Sequence, residues 1–232
     1  MSRKYKNPPI VEALSEFQFI PGQPWDFTVH GLFYEKINTE FPDKQQMGIG
    51  IRVKQAVGAI QHEVLQSPDR MQFHRKDKTA LVQVGPDMLV VNHLKPYPTW
   101  EVFKPLVLGN LNKYHEVAKP KGFKRLVLRY INKIDIPKKP IEMTDYFSYY
   151  PYIPDKLPQT HGAFLIRTEI PYEENRDSIL LTFSSIIPEK PEMLSFLLDL
   201  NYVMVIPEKV AIDQADKWLE QAHAIIENNF EA

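Results

Sequence analysis

Along residues 10–19 apolar and polar side chains alternate. Val11, Ala13, Phe17 and Phe19 fall on one side, and Ile10, Glu12, Leu14 and Glu16 on the other. A period of two predicts a strand, but one whose second face carries carboxylates four residues apart. The run PGQPW at 21–25 breaks the pattern. Asp26 then stands where a helix cap would, ahead of Val29, Leu32, Phe33 and Ile37 at helical spacing, and this helix should end near Phe41 and Pro42. Strands are predicted at 48–57, 70–76, 79–84 and 88–94, with GPD at 85–87 as a turn. Thr99 is placed to cap a second helix that turns Trp100, Phe103, Val107 and Tyr114 inward, with Pro105 kinking it or marking its first turn.

The stretch KRLVLRYINKIDIP at 124–137 reads as another strand. A short aromatic segment at 143–152 follows, then strands at 163–171, 178–187 and 197–206. A last helix is predicted from Asp213, with Asp216 near its positive end and Ala215, Trp218, Leu219, Ala222 and Ile226 inward. The order β-α-β-β-β-β-α, then β-(short α)-β-β-β-α, implies an α+β fold: a curved antiparallel sheet covered on one face by helices. It implies one domain over 1–232, with pseudo-repeated halves at 1–118 and 119–232. Element order alone carries that repeat. The opening strand and the strand at 124–137 would then lie side by side.

That pairing gives the buried-looking carboxylates a partner. Arg125, Arg129 and Lys133 share one face of their strand at the same spacing of four, so Glu12 and Glu16 could each meet a base. Opposed unlike charges in a sheet contribute roughly 0.2–1 kcal/mol per pair. The alternative is a charged binding groove on the open face of the sheet.

Composition narrows the classes. Hydrophobic residues make up 44 % and charged ones 25 %, which suits a globular chain rather than a disordered one. A net charge of −1 is not that of a general polycation seeking nucleic acid or membrane. The absence of cysteine removes disulfides, thiolate metal sites and cysteine nucleophiles, and suits a reducing, cytoplasmic location. No apolar run reaches the roughly 20 residues of a membrane span, and MSRKYKNPPI lacks the apolar core of a signal peptide.

The stretches NPPIVEALSEFQF, PW, NHLKPYPTW and LRYINKI resemble signature stretches of a sporadically distributed, uncharacterised family of bacterial and archaeal proteins. Its anchors fall at Asn7, Pro8, Pro9, Glu12, Pro24, Trp25, Asn92, Tyr97, Trp100, Arg129, Tyr130 and Asn132. The resemblance runs nearly end to end. It implies no activity; the patchy distribution implies a mobile-element or defence setting.

No motif assigns a reaction. The seven histidines form no HxH, HxxxH or HExxH spacing, so no metal is expected, and no P-loop, dinucleotide fingerprint or GxSxG is present, so no cofactor is implied. His93, beside Asn92 at a strand end, is the best placed histidine for a site. An enzyme would show a concave pocket of titratable groups, with Glu12, Arg129, Asn132 and His93 converging there.

Two features stand out. Eight bases against one acid fall in 119–139, whereas nine acids against three lysines run from Glu189 to the end. This marks either a partner surface or an internal match, with the acidic last helix lying over the basic segment. The second feature is YFSYYPY at 146–152, whose five aromatics cannot all enter one core. It reads as a lid on the sheet, a protein interface, or part of a single-stranded nucleic-acid platform with the basic strand. The expected function is a non-enzymatic binding or regulatory module that engages a protein partner, self or other, through Arg125, Arg129, Lys133, Tyr149, Tyr150 and Tyr152. Glu12 and Asn132 would hold that surface in shape.

Overall fold

The computed structural model describes residues 5, 8–47, 50–56, 59–65, 70–138, 142–158 and 162–232. Asn7, Lys139 and His161, singled out from sequence, lie outside them, as do parts of the strand predicted at 48–57.

The described elements are β1 (Ile10–Ile20), α1 (Thr28–Ile37), β2 (Asp43–Met47), β3 (Gly50–Ala56), β4 (Ala59–Leu65), β5 (Arg70–His74), β6 (Ala80–Gly85), β7 (Met88–Leu94), α2 (Trp100–Ala118), β8 (Gly122–Pro137), β9 (Leu165–Tyr172), β10 (Asp177–Ile186), β11 (Met193–Met204) and α3 (Ala215–Glu231). Nine strands form one open antiparallel sheet in the order β2-β5-β6-β7-β1-β8-β11-β10-β9, while β3 and β4 pair only with each other. The two strands expected side by side, β1 and β8, are neighbours at its centre.

The alternation in β1 is borne out from Glu12 onward; before it the register shifts, Val11 is only half-buried, and Ile10, expected on the other face, packs against the main core. Ala13, Phe17 and Phe19 are buried in the main core, whereas Glu12, Leu14 and Glu16 are half-buried on the other face. The register carries that division across the sheet: Leu126, Leu128 and Tyr130 of β8, and Leu200, Tyr202 and Met204 of β11, join the same core. α1 packs on α2, α2 on β7 and α3, and α3 on β11 and β8, so the helices cover the Phe17 face. All five residues predicted on the inner side of the last helix, from Ala215 to Ile226, are buried.

A smaller core of Ile136, Phe183 and Phe196 lies on the same side, packed by Phe147 and Tyr149 rather than by a helix. Between β1 and α1, Gly22 presses against the chain leaving α2. A Cβ there would stand 1.7 Å from the Lys119 carbonyl oxygen, so no side chain fits without backbone movement.

Several local expectations are corrected. Asp26 does anchor α1, accepting the Thr28 amide at 2.7 Å, but Leu32 points to solvent. Thr99 occupies the cap position of α2 with no side-chain cap bond, and Pro105 lies in the second turn. Asp213 sits in a short 3-10 turn, so α3 begins at Ala215. Within 143–152 only Met143–Asp145 is helical, as a 3-10 turn.

A candidate ligand cavity between the N-terminal segment and two helices

The bases expected to form a binding surface are largely committed to acids of the chain itself. Arg125, Arg129 and Lys133 do share the open face of β8, opposite the helices. Arg129 donates two hydrogen bonds to Asp199, at 2.8 and 2.7 Å, and the Asp199 carboxylate holds its guanidinium pKa up. Lys133 meets Glu189 at 2.5 Å and Asp135 at 3.7 Å. Only Arg125 faces one of the opening carboxylates, Glu16, at 3.6 Å.

Glu12 instead accepts the Asn92 amide at 2.7 Å. That bond ends a row running from Gln72 through Gln83 and Asn92 to Glu12 across four strands. The expected Glu–base ladder is therefore one loose pair. In the register Glu12 and Asp199 flank Ile131 from the two neighbouring strands, both diagonal to Arg129, and Glu16 stands opposite Val127; Arg129 bonds Asp199, while both glutamates act on it through space. The acidic C-terminal stretch does neutralise the basic strand, through Glu189 and Asp199 rather than through α3. The α3 acids Asp216 and Glu220 bind Lys104 of α2.

The aromatic segment divides. Phe147 packs on Phe183 and Phe196, and Tyr149 bonds Thr168 Oγ1 at 2.7 Å on the helix-covered side of β9. Tyr150 is half-buried and Tyr152 is 76 % exposed. Tyr149 and Arg129 therefore lie on opposite faces of the sheet. Their strands, β9 and β8, are three strand spacings apart, about 14 Å. The structure does not bring the basic strand and this tyrosine onto one face.

A different set of residues converges. A cavity of about 670 Å³ lies between Pro8 and Pro9, the start of α2, the β8 residues Tyr130 and Asn132, and the inner side of α3. That volume is within the usual range for small-molecule sites. Pro9 is fixed because its carbonyl accepts the Lys133 amide at 2.9 Å. Tyr5 closes the far side, its hydroxyl on Glu231 at 2.7 Å and its ring edge-on to Phe230 at 5.7 Å.

A polar chain crosses this cavity's wall. The Tyr97 and Tyr130 hydroxyls are 3.2 Å apart, and Tyr130 Oη lies 3.1 Å from His223 Nδ1. His223 Nε2 faces Glu227 at 3.6 Å, and the Trp100 indole stacks flat on the imidazole at 4.2 Å. Burial pushes both phenols up, so both stay protonated at neutral pH. Burial lowers His223 against the pull of Glu227, Glu220 and Glu101, which favours a neutral imidazole able to accept from Tyr130. Asn132 is buried beside them and donates to the Leu198 carbonyl at 3.1 Å. His93 is not in the cavity. It is buried behind Tyr97, edge-on to that ring and to Phe103. Of the four groups expected to converge, only Asn132 lines the site, because Glu12 and Arg129 occupy the opposite face.

Pro8, Pro9, Tyr97, Trp100, Tyr130 and Asn132, all among the resemblance-bearing positions, line this one cavity. His223 was missed from sequence, although it continues the inner stripe of α3 between Leu219 and Ile226. Among the described residues no group of three or more histidines and carboxylates could hold a metal, and no helix is long and apolar enough to cross a membrane.

The buried histidine makes a pH prediction. His223 and His93 have folded pKa values below the ordinary histidine value of about 6.5. The unfolded chain therefore takes up protons first on acidification. Their contribution to stability is present above about pH 6.5 and is lost as pH falls below it, through the lowered folded values. Urea midpoints should drop between pH 7.5 and 5.5, and drop less in His223→Phe. A midpoint unchanged over that range would show that neither imidazole is held neutral.

Compared with protein-family models the chain matches none, and no curated protein matches it.

Proposed function

We propose that this protein is a binding module, and that its site is the cavity walled by Tyr97, Trp100, Tyr130 and His223. The observation that carries this reading is the hydrogen-bonded chain Tyr97–Tyr130–His223 set in the wall of a ligand-sized cavity. Oriented polar groups against an apolar wall are what a small-molecule site needs. The described lining is largely apolar and aromatic, so a ligand with an apolar body and a polar end is favoured. Its apolar body would lie against Trp100, Ile226 and Phe230, and its polar end would meet Asn132 and the phenols.

A thermal-shift panel of neutral, cationic and anionic aromatic compounds tests this. A true ligand at about a hundred times its Kd adds about 2.7 kcal/mol, which raises Tm by about 5–10 °C for a chain of this length. The response should be confined to a few members of the panel and be lost in His223→Phe. A panel that leaves Tm unmoved throughout, or shifts that persist in His223→Phe, would sink the proposal.

A second reading is a protein partner met at the aromatic segment, and the exposure of Tyr152 and Tyr146 favours it. The strand order also supports reading 1–118 and 119–232 as repeated halves. β7, β6 and β5 step outward from β1 as β11, β10 and β9 do from β8, and a helix follows each of β7 and β11. A cytoplasmic, mobile-element or defence setting rests on the lack of cysteine and on the resemblance alone.

A further inference from the structure

The sheet ends on one side at β9, whose residues pair with β10 and, among the described strands, with no other. Unlike the central strands, it is exposed over most of its length, including Leu165 and Ile170. An open edge of this kind is a template for another strand. Charged side chains ordinarily blunt such edges, and a single sign repeated along an edge repels its own copy. β9 carries one charge of each sign, Arg167 and Glu169, two residues apart on the same face and flanking Thr168.

We propose that two copies of this chain join edge to edge through β9, antiparallel about a two-fold axis at Thr168. In that register Arg167 of each copy stands opposite Glu169 of the other, giving two cross-strand ion pairs on the open face of the sheet. On the opposite face Ile166 of one copy meets Ile170 of the other, also twice. Leu165 falls opposite Pro171 at each end, where the missing proline N–H removes one bond from the end of the ladder. The interface is isologous, as closed dimers require. Its eight-residue edge makes it a weak, concentration-dependent one. Shifting the register by two residues would put like charges or apolar groups against the charges, so the sequence of β9 selects this alignment. The proposal is independent of both the cavity and the aromatic segment.

Sedimentation velocity over a wide concentration range tests it. The wild-type chain should pass from monomer to dimer. R167E gives an edge of two acids and E169R an edge of two bases; each alone should weaken self-association about tenfold or more. Mixing R167E with E169R should restore a dimer containing one of each, and the double charge swap R167E/E169R should dimerise as the wild type does. These side chains are exposed, so far-UV circular dichroism should show all variants folded as the wild type. A wild type that stays monomeric throughout would overturn the proposal, as would a dimer indifferent to both single variants. A monomer that still captures another protein through Tyr152 would leave the partner reading standing while this one fell. Ligand-induced stabilisation of such a monomer would likewise leave the cavity reading intact.

Discussion

Arg176→Ala is expected to cost about 3–5 kcal/mol of folding free energy, more than Asp177→Ala at the same pair. Asp177 is fully buried where β10 begins. Its carboxylate takes two bonds from Arg176, at 2.6 and 3.2 Å, and one from the Tyr202 hydroxyl at 3.0 Å. Removing the arginine strands a carboxylate away from water with one phenol for company. Removing the aspartate instead takes the buried charge away, and Arg176, about a quarter exposed, still reaches solvent. What remains is the Tyr202 hydroxyl without its acceptor, a loss of about 1–3 kcal/mol. Urea unfolding of both single variants reads the order directly. Equal losses, or a larger loss for Asp177→Ala, would mean that the pair acts as a surface contact.

Phe17→Ala is expected to lose a similar amount, about 3–5 kcal/mol, while Leu14→Ala three residues away loses much less. Phe17 has no exposed surface and packs against Phe19 and Phe123, with ring centroids 6.2 and 5.8 Å away. Its removal opens a cavity in the main core beside Phe19 and Phe123. Leu14 lies on the other face of β1, opposite Asn92 and Arg129, where water can refill part of the space. Denaturant midpoints of the two variants would report which face of the strand the helices cover. Comparable losses would show both faces equally buried.

These two losses rest on features of different legibility. The Phe17 face was readable because a strand's period of two separates its sides with no help from the rest of the fold, and Phe17 and Phe19 could only be inward. The inner stripe of α3 was readable for the same reason at a period of 3.6. The Arg176–Asp177 pair was not readable. Adjacent charges in a polar hairpin look solvated, and only the packing of Tyr202 over the start of β10 buries one of them. The expected ladder of Glu12 and Glu16 against the β8 bases met a competitor not foreseen as a partner: Asp199 of β11, diagonal to Arg129 as Glu12 is, takes its guanidinium.

The candidate site divides along the same line. Tyr97, Trp100, Tyr130 and Asn132 were visible as a scattered set, whereas His223 was missed. Nothing in their spacing, which runs over more than a hundred residues, said that they meet. By itself the sequence determined the faces of its strands and helices and the lack of thiol chemistry, because local period and composition act without regard to distance; the placing of β1 beside β8 came from the order of the elements. The tertiary structure alone decided which charges pair, which tyrosines turn inward and where a cavity remains. Those outcomes depend on register and on the docking of α2 against α3, and contacts between distant residues are set only once the whole sheet has closed the space around them.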